Sequence, residues 1–196
     1  MRNLGKLLAL TTTLSAFSLS ALAQTAPPPP PGGPAPAPAP TYGYREAEHA
    51  LRELARAQYL SGIVGQSPLK ATADNLLRQA QGEYQAGQYF RAKERAKAAS
   101  LIYEGLRFQE VAPTAPYPVG RGKEARRAYE APFRAQEAIA RAEYEASYYR
   151  VNASVVGQLI QEAKRLLAQG NDLARAEAAH RLARAAHHLM KAERGF

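Results

Sequence analysis

Small apolar side chains recur at helical spacing through most of this chain, and that rhythm limits what it can fold into. From Tyr44 onward the sequence is dominated by alanine, leucine, arginine and glutamate. Alanine has the highest helix propensity and lets neighbouring helices approach closely. Ala47, Ala50, Leu51, Leu54 and Ala55 fall at i, i+3, i+4, i+7 and i+8, one apolar stripe of an amphipathic helix. Gly62, Gly65, Ser67 and Pro68 break it. Ser67 suits an N-cap and Pro68 the first turn of a new helix, whose face is Leu69, Ala73, Leu76, Leu77, Ala80 and Tyr84. Gly87 stands where a left-handed residue ends that helix. A third helix follows, with Tyr89, Ala92, Ala96, Ala99, Tyr103 and Leu106 on one side. Residues 44–111 thus read as one three-helix unit.

The stretch 112–122 holds Pro113, Pro116, Pro118, Gly120 and Gly122, a linker that cannot continue a helix. The helical rhythm then resumes over 123–196. A short helix is expected over 123–130, with Pro132 starting a fresh one that presents Ala135, Ala138, Ile139, Ala142, Ala146 and Tyr149. Asn152 is placed to cap the next helix, whose face runs from Val155 and Val156 to Leu166 and Leu167; Gly170 closes it. A last helix is expected from about Asp172 to Ala192. Leu76, Leu77, Ala80 and Gly87 align with Leu159, Ile160, Ala163 and Gly170 at one constant offset. With one residue inserted, Ala92, Ala99 and Tyr103 match Ala176, Ala183 and His187. The expected fold is therefore all-α, two related three-helix units of antiparallel hairpins.

Leu77, Ala80, Tyr84, Gly87, Tyr89, Ala92, Ala96 and Ala99 resemble the helix-turn-helix core of a tetratricopeptide repeat. The tyrosine-to-glycine spacing is one residue short, no closing proline follows, and the period is far from about 34 residues. The longer run over 47–103 is similar to an alanine-rich three-helix domain of unknown function. That domain is found in exported bacterial proteins, sometimes beside outer-membrane, peptidoglycan-binding modules. The resemblance implies an exported helical accessory domain and brings no catalytic residues with it.

The N-terminal segment reads as an address. Arg2 and Lys6 precede an apolar run over 7–22 that ends in Ala21-Leu22-Ala23, the pattern of a signal peptide cleaved after Ala23. The run is shorter than the roughly 20 strongly apolar residues a spanning helix needs and is diluted by hydroxyls. The mature chain is expected to be periplasmic or extracellular, with no transmembrane segment. Residues 24–43, with five consecutive prolines and Pro-Ala alternation, favour polyproline II and read as a disordered tether. The sequence has no cysteine, which excludes disulfides, thiolate metal sites, cysteine nucleophiles and a lipid-carrying cysteine.

Nothing in the chain names a reaction. There is no Gly-rich phosphate loop after a strand, no nucleophile elbow and no paired zinc-histidine motif. Only Glu177 and His180 have chelating spacing on one helix, so neither metal nor cofactor is expected. Tyrosine is frequent (11 residues, with no tryptophan), and Tyr59, Tyr84, Tyr103, Tyr144 and Tyr149 fall near apolar faces, where the rings are expected to pack. The charge balance is +9. Arg181, Arg184, His188 and Lys191 share a stripe of the last helix, while Arg91, Arg95 and Lys93, Lys97 form i, i+4 pairs on the third. Those eight residues are the candidate polyanion-binding set. The expected function is a non-enzymatic, exported cell-envelope scaffold or protein-interaction module. The alternative is a binder of anionic wall polymer, lipid headgroups or nucleic acid, with no specific nucleic acid implied. An envelope enzyme ranks third. The partner is an envelope protein or anionic polymer.

Overall fold

A computed structural model describes residues 41–111, 122–151, 154–170 and 172–194. The expected signal peptide, the tether as far as residue 40, most of the linker and the Asn152 cap lie outside the described residues. Six helices follow in order: α1 (Thr41–Ile63), α2 (Pro68–Gln85), α3 (Tyr89–Val111), α4 (Lys123–Tyr149), α5 (Ser154–Gln169) and α6 (Leu173–Arg194). Among the described residues there is no strand, and no helix is long and apolar enough to cross a membrane.

The punctuation residues act as their chemistry requires. Ser67 is extended and its hydroxyl accepts the Lys70 N–H at 3.1 Å, with Pro68 at the head of α2. Gly87 has φ +74°, and beyond it the Gln88 N–H returns to the Glu83 carbonyl at 2.8 Å, closing α2 with a Schellman turn. The end of α4 repeats this hydrogen-bond pattern around Arg150, a non-glycine residue at φ 52°. Asp172 caps α6 by accepting the Arg175 N–H at 3.0 Å.

Three expectations are revised. Helix α1 begins at Thr41, so the last three residues assigned to the tether are helical. Residues 123–149 form one helix through Pro132 rather than two. Proline removes one i→i−4 hydrogen bond, but Ala128, Ala131 and Ala135 around it are all buried on a helix that packs along α6, and that packing carries the helix through. On α1 the buried stripe is Ala50, Leu54, Ala57 and Leu60, continued by Val64 just past its end, while Leu51 and Ala55 face out. The stripe is rotated because α1 packs chiefly on α3.

Helices α3 and α6 form the centre and pack most extensively against each other. Each also carries two outer helices: α1 and α2 on α3, α4 and α5 on α6. They run antiparallel, since Glu94 meets His188 while Glu104, further along α3, meets Arg181. Both are buried nearly all round. Ala96, Ala98 and Ala99 on α3 join Ala178, Ala179, Ala183, Ala185 and Ala186 in one continuous core spanning both triplets. Gly105 sits at a close approach of the two, where a Cβ would lie 3.4 Å from the Ala178 carbonyl oxygen and 3.4 Å from Leu182. The largest wholly buried side chain is Tyr103, whose hydroxyl donates to Asp74 at 2.6 Å beside Lys70. Burial opposes the Asp74 charge, but Tyr103 and Lys70 outweigh it and hold the carboxyl low.

Candidate functional site

The eight basic candidates do not gather as one open face. On α3, Lys93 turns to Glu46 at 2.9 Å and to Glu94 at 3.7 Å, and Arg95 bridges Glu83 and Glu193. Arg91 stays exposed near Glu83, and Lys97 is half-buried. On α6, Arg181 reaches Glu104 at 3.4 Å and Glu177 at 4.0 Å, and Lys191 stands 4.0 Å from Glu94. Arg184 makes no ion pair with the described residues and lines the groove between α4 and α6. His188 is not on the surface stripe. It is buried in the α3–α6 seam, 6% exposed, and its Nδ1 meets Glu94 at 2.6 Å. The reason is helical geometry, since the stripe's inner edge falls where α6 meets α3.

Burial lowers the His188 pKa despite the hydrogen bond to Glu94. His180 is lowered as well, by burial first and then by Arg181, Arg184 and Arg134, against the pull of Glu177. Glu177, 2% exposed, takes Arg134 at 2.8 Å and Arg127 at 3.2 Å. Burial alone would raise its carboxyl, but Arg127, Arg134 and Arg181 hold it low. Such pairs fix helices against one another and leave these groups little freedom to act on a ligand. Among the described residues no group of three or more His, Cys, Asp or Glu is placed to hold a metal ion.

The outward features are on other elements. Every exposed large apolar side chain among the described residues lies on α1 or α4: Tyr44, Leu51, Tyr59 and Ile63, then Tyr129, Phe133, Tyr144 and Tyr148. On α4 they form two ring pairs, each between residues one turn apart: Tyr129 with Phe133 at 5.7 Å and Tyr144 stacked on Tyr148 at 5.9 Å. The stripe from Tyr129 to Tyr148 spans about 28 Å at the helical rise. Tyr59 and Tyr144 therefore face solvent rather than packing, 69% exposed in each case, while Tyr103 is fully buried and Tyr84 half-buried as expected.

Grooves flank these faces. One of about 550 Å³ is lined by Arg56, Tyr59 and Leu60 from α1, Glu104, Arg107 and Phe108 from α3, and Arg181 from α6. Arg107 is exposed and has no ion pair with the described residues. Another of about 240 Å³ lies between α4 and α6 and includes Arg141, Glu145, Tyr149, Lys191 and Arg194. There Arg141 and His187 converge on Glu145 at 2.8 and 2.5 Å, and the Arg194 guanidinium stacks 3.7 Å from the Tyr149 ring. Burial opposes the Glu145 charge, but His187 and Arg141 keep the carboxyl low.

Sequence reasoning missed Tyr129, Phe133, Tyr148, Arg56, Arg107 and Arg141. One signal was present. Tyr44 and Tyr129, Tyr59 and Tyr144, and Ile63 and Tyr148 are separated by the same number of residues, as are the buried pairs Ala50/Ala135, Leu54/Ile139 and Ala57/Ala142. Compared with known proteins, the chain matches no family model, no curated protein and no solved structure.

Proposed function

We propose that the protein is a non-enzymatic, exported interaction module of the cell envelope, with a rigid helical body on a Pro/Ala-rich tether and its partner-facing surface on the outer helices. The observation that carries this is the confinement, among the described residues, of the exposed large apolar side chains to α1 and α4, with two aromatic pairs on α4, one tilted and one stacked. Tyrosine and phenylalanine concentrated on outer helix faces are the composition of a protein interface, and these exposed rings lie outside the buried core. Export rests on the N-terminal pattern of Arg2, Lys6, the apolar run and Ala21-Leu22-Ala23. The test is capture of an envelope protein by the chain at low and physiological salt, compared with the Tyr144→Ala/Tyr148→Ala variant. Capture that persists at physiological salt and is lost in the variant supports the reading. Capture indifferent to the variant overturns it.

Polyanion binding remains the second reading, favoured by Arg107 and Arg184, which carry no ion pair with the described residues. It requires retention that falls steeply as salt rises and weakens in Arg184→Gln.

A further inference from the structure

The grooves beside α1 and α4 share a plan. Arg56 and Arg141 stand the same number of residues apart as Tyr59 and Tyr144, and Arg107 and Lys191 follow the spacing that relates α3 to α6. In each groove one carboxylate is clamped by two basic side chains from different helices. Glu104 takes Arg56 of α1 and Arg181 of α6; Glu145 takes Arg141 of α4 and His187 of α6. In each groove, too, basic charge exceeds acidic. Arg56, Arg107 and Arg181 surround Glu104, and Arg141, Lys191 and Arg194 surround Glu145. An apolar floor is present in both, Leu60 with Phe108 in one and Tyr149 with Met190 in the other.

We infer that the protein is a two-site binder, each groove taking one acidic side chain beside an apolar one from an acidic peptide segment of its partner. The inference rests on the interaction reading above and adds the partner's chemistry and the number of sites. Clamping matters physically. The resident carboxylates occupy Arg56, Arg181 and Arg141, so an incoming carboxylate meets Arg107 in one groove and, in the other, Lys191, which stands 4.0 Å from Glu94. The apolar floor takes the neighbouring ring or aliphatic chain, and water leaving it strengthens the ion pair. Two such sites on one rigid body let a partner with two acidic segments bind through both, which raises affinity by about 10²–10⁴ over either alone when the spacing fits.

The test is an amide NMR titration of the full chain with acetyl-Glu-Phe-Glu-amide at low salt. Two separate groups of perturbed amides are expected, one near Arg107 and one near Lys191. Arg107→Gln should abolish only the first and Lys191→Gln only the second. The acetyl-Gln-Phe-Gln-amide control should bind at least tenfold more weakly to both. Arg107 is exposed and Lys191 half-buried, and unchanged thermal melts confirm that the variants fold. A single perturbed site, loss of both sites in one variant, or equal binding of the glutamine peptide overturns the inference. So does retention on vesicles of anionic phospholipid with no peptide binding, which assigns the surplus charge to a lipid surface. If the peptide fails while the Tyr144→Ala/Tyr148→Ala variant still loses envelope capture, only the groove assignment falls.

Discussion

Gly105 tests whether α3 and α6 are clasped as described. A Cβ built there lies 3.4 Å from the Ala178 carbonyl oxygen and 3.4 Å from a Leu182 methyl, an ordinary contact that displaces nothing. Gly105→Ala should therefore keep the packing and recover the helix propensity that glycine forfeits, about 0.8–1.0 kcal/mol. For a chain of this size that corresponds to a rise of about 2–4 °C in Tm. Leucine has nearly the propensity of alanine, so Gly105→Leu recovers the same term while its added carbons extend into Ala178 and Leu182. The difference between the two variants then isolates overpacking, about 1–3 kcal/mol. Urea unfolding followed by far-UV circular dichroism, with both variants beside the parent, measures it. Equal stability of the leucine and alanine variants would refute the close antiparallel approach at this point. Marked destabilisation by alanine would show the seam to be tighter than described.

Other expectations follow from the buried charges and the helix ends. Glu177→Gln leaves Arg127 and Arg134 without their shared anion. Those arginines are 56% and 41% exposed, so solvent limits the loss to about 1–3 kcal/mol in denaturant titration. His180 and His188 are held below their ordinary value in the fold, so the unfolded chain takes up their protons first as pH falls. Their contribution is complete above about pH 6.5 and is lost as pH drops through the lowered folded values. Thermal melts should fall between about pH 7.5 and about pH 5.5, and His180→Gln should shrink that fall; a pH-independent Tm refutes the assignment. Arg150 occupies the left-handed region at φ 52°, and Arg150→Gly should stabilise by about 0.5–1 kcal/mol. Leu159, fully buried, should cost about 2–5 kcal/mol on truncation to alanine.

The all-α class, the Ser67 cap, the Gly87 turn and most of the faces of α2, α3 and α5 were legible because each depends on local spacing. Pro132 was misread because a local rule about proline was applied where α6 packing decides the outcome. The α1 stripe was misread for a related reason. Ala47, Ala50, Leu51, Leu54 and Ala55 define two overlapping stripes about equally well, and only the direction of α3 selects between them. The pairing of the basic candidates was not legible because spacing on one helix does not reveal carboxylates on another. Lys93 finds Glu46, Arg95 finds Glu193 and His188 finds Glu94, all across helix boundaries. The aromatic pairs on α4 were overlooked because tyrosine at helical spacing was assigned to packing.

A centre built on alanine leaves a deficit that bears on where function resides. Buried methyls contribute little beside the roughly 1.5–3 kcal/mol of a leucine-sized side chain, so a seam lined by Ala96, Ala99, Ala179 and Ala183 gains closeness but limited driving force. Glu94 with His188 and Glu104 with Arg181 then fix its register, because shifting α6 by a turn would strand a carboxylate. Large apolar side chains would be most stabilising inside, yet Tyr59, Tyr129, Phe133, Tyr144 and Tyr148 are all turned outward. Their removal should therefore leave stability within about 0.5 kcal/mol of the parent, as a melt of Tyr144→Ala/Tyr148→Ala would show. A larger loss would mean that these rings support the fold and would remove them from the interaction surface. No loss, with capture abolished, separates what holds the helices together from what the helices present.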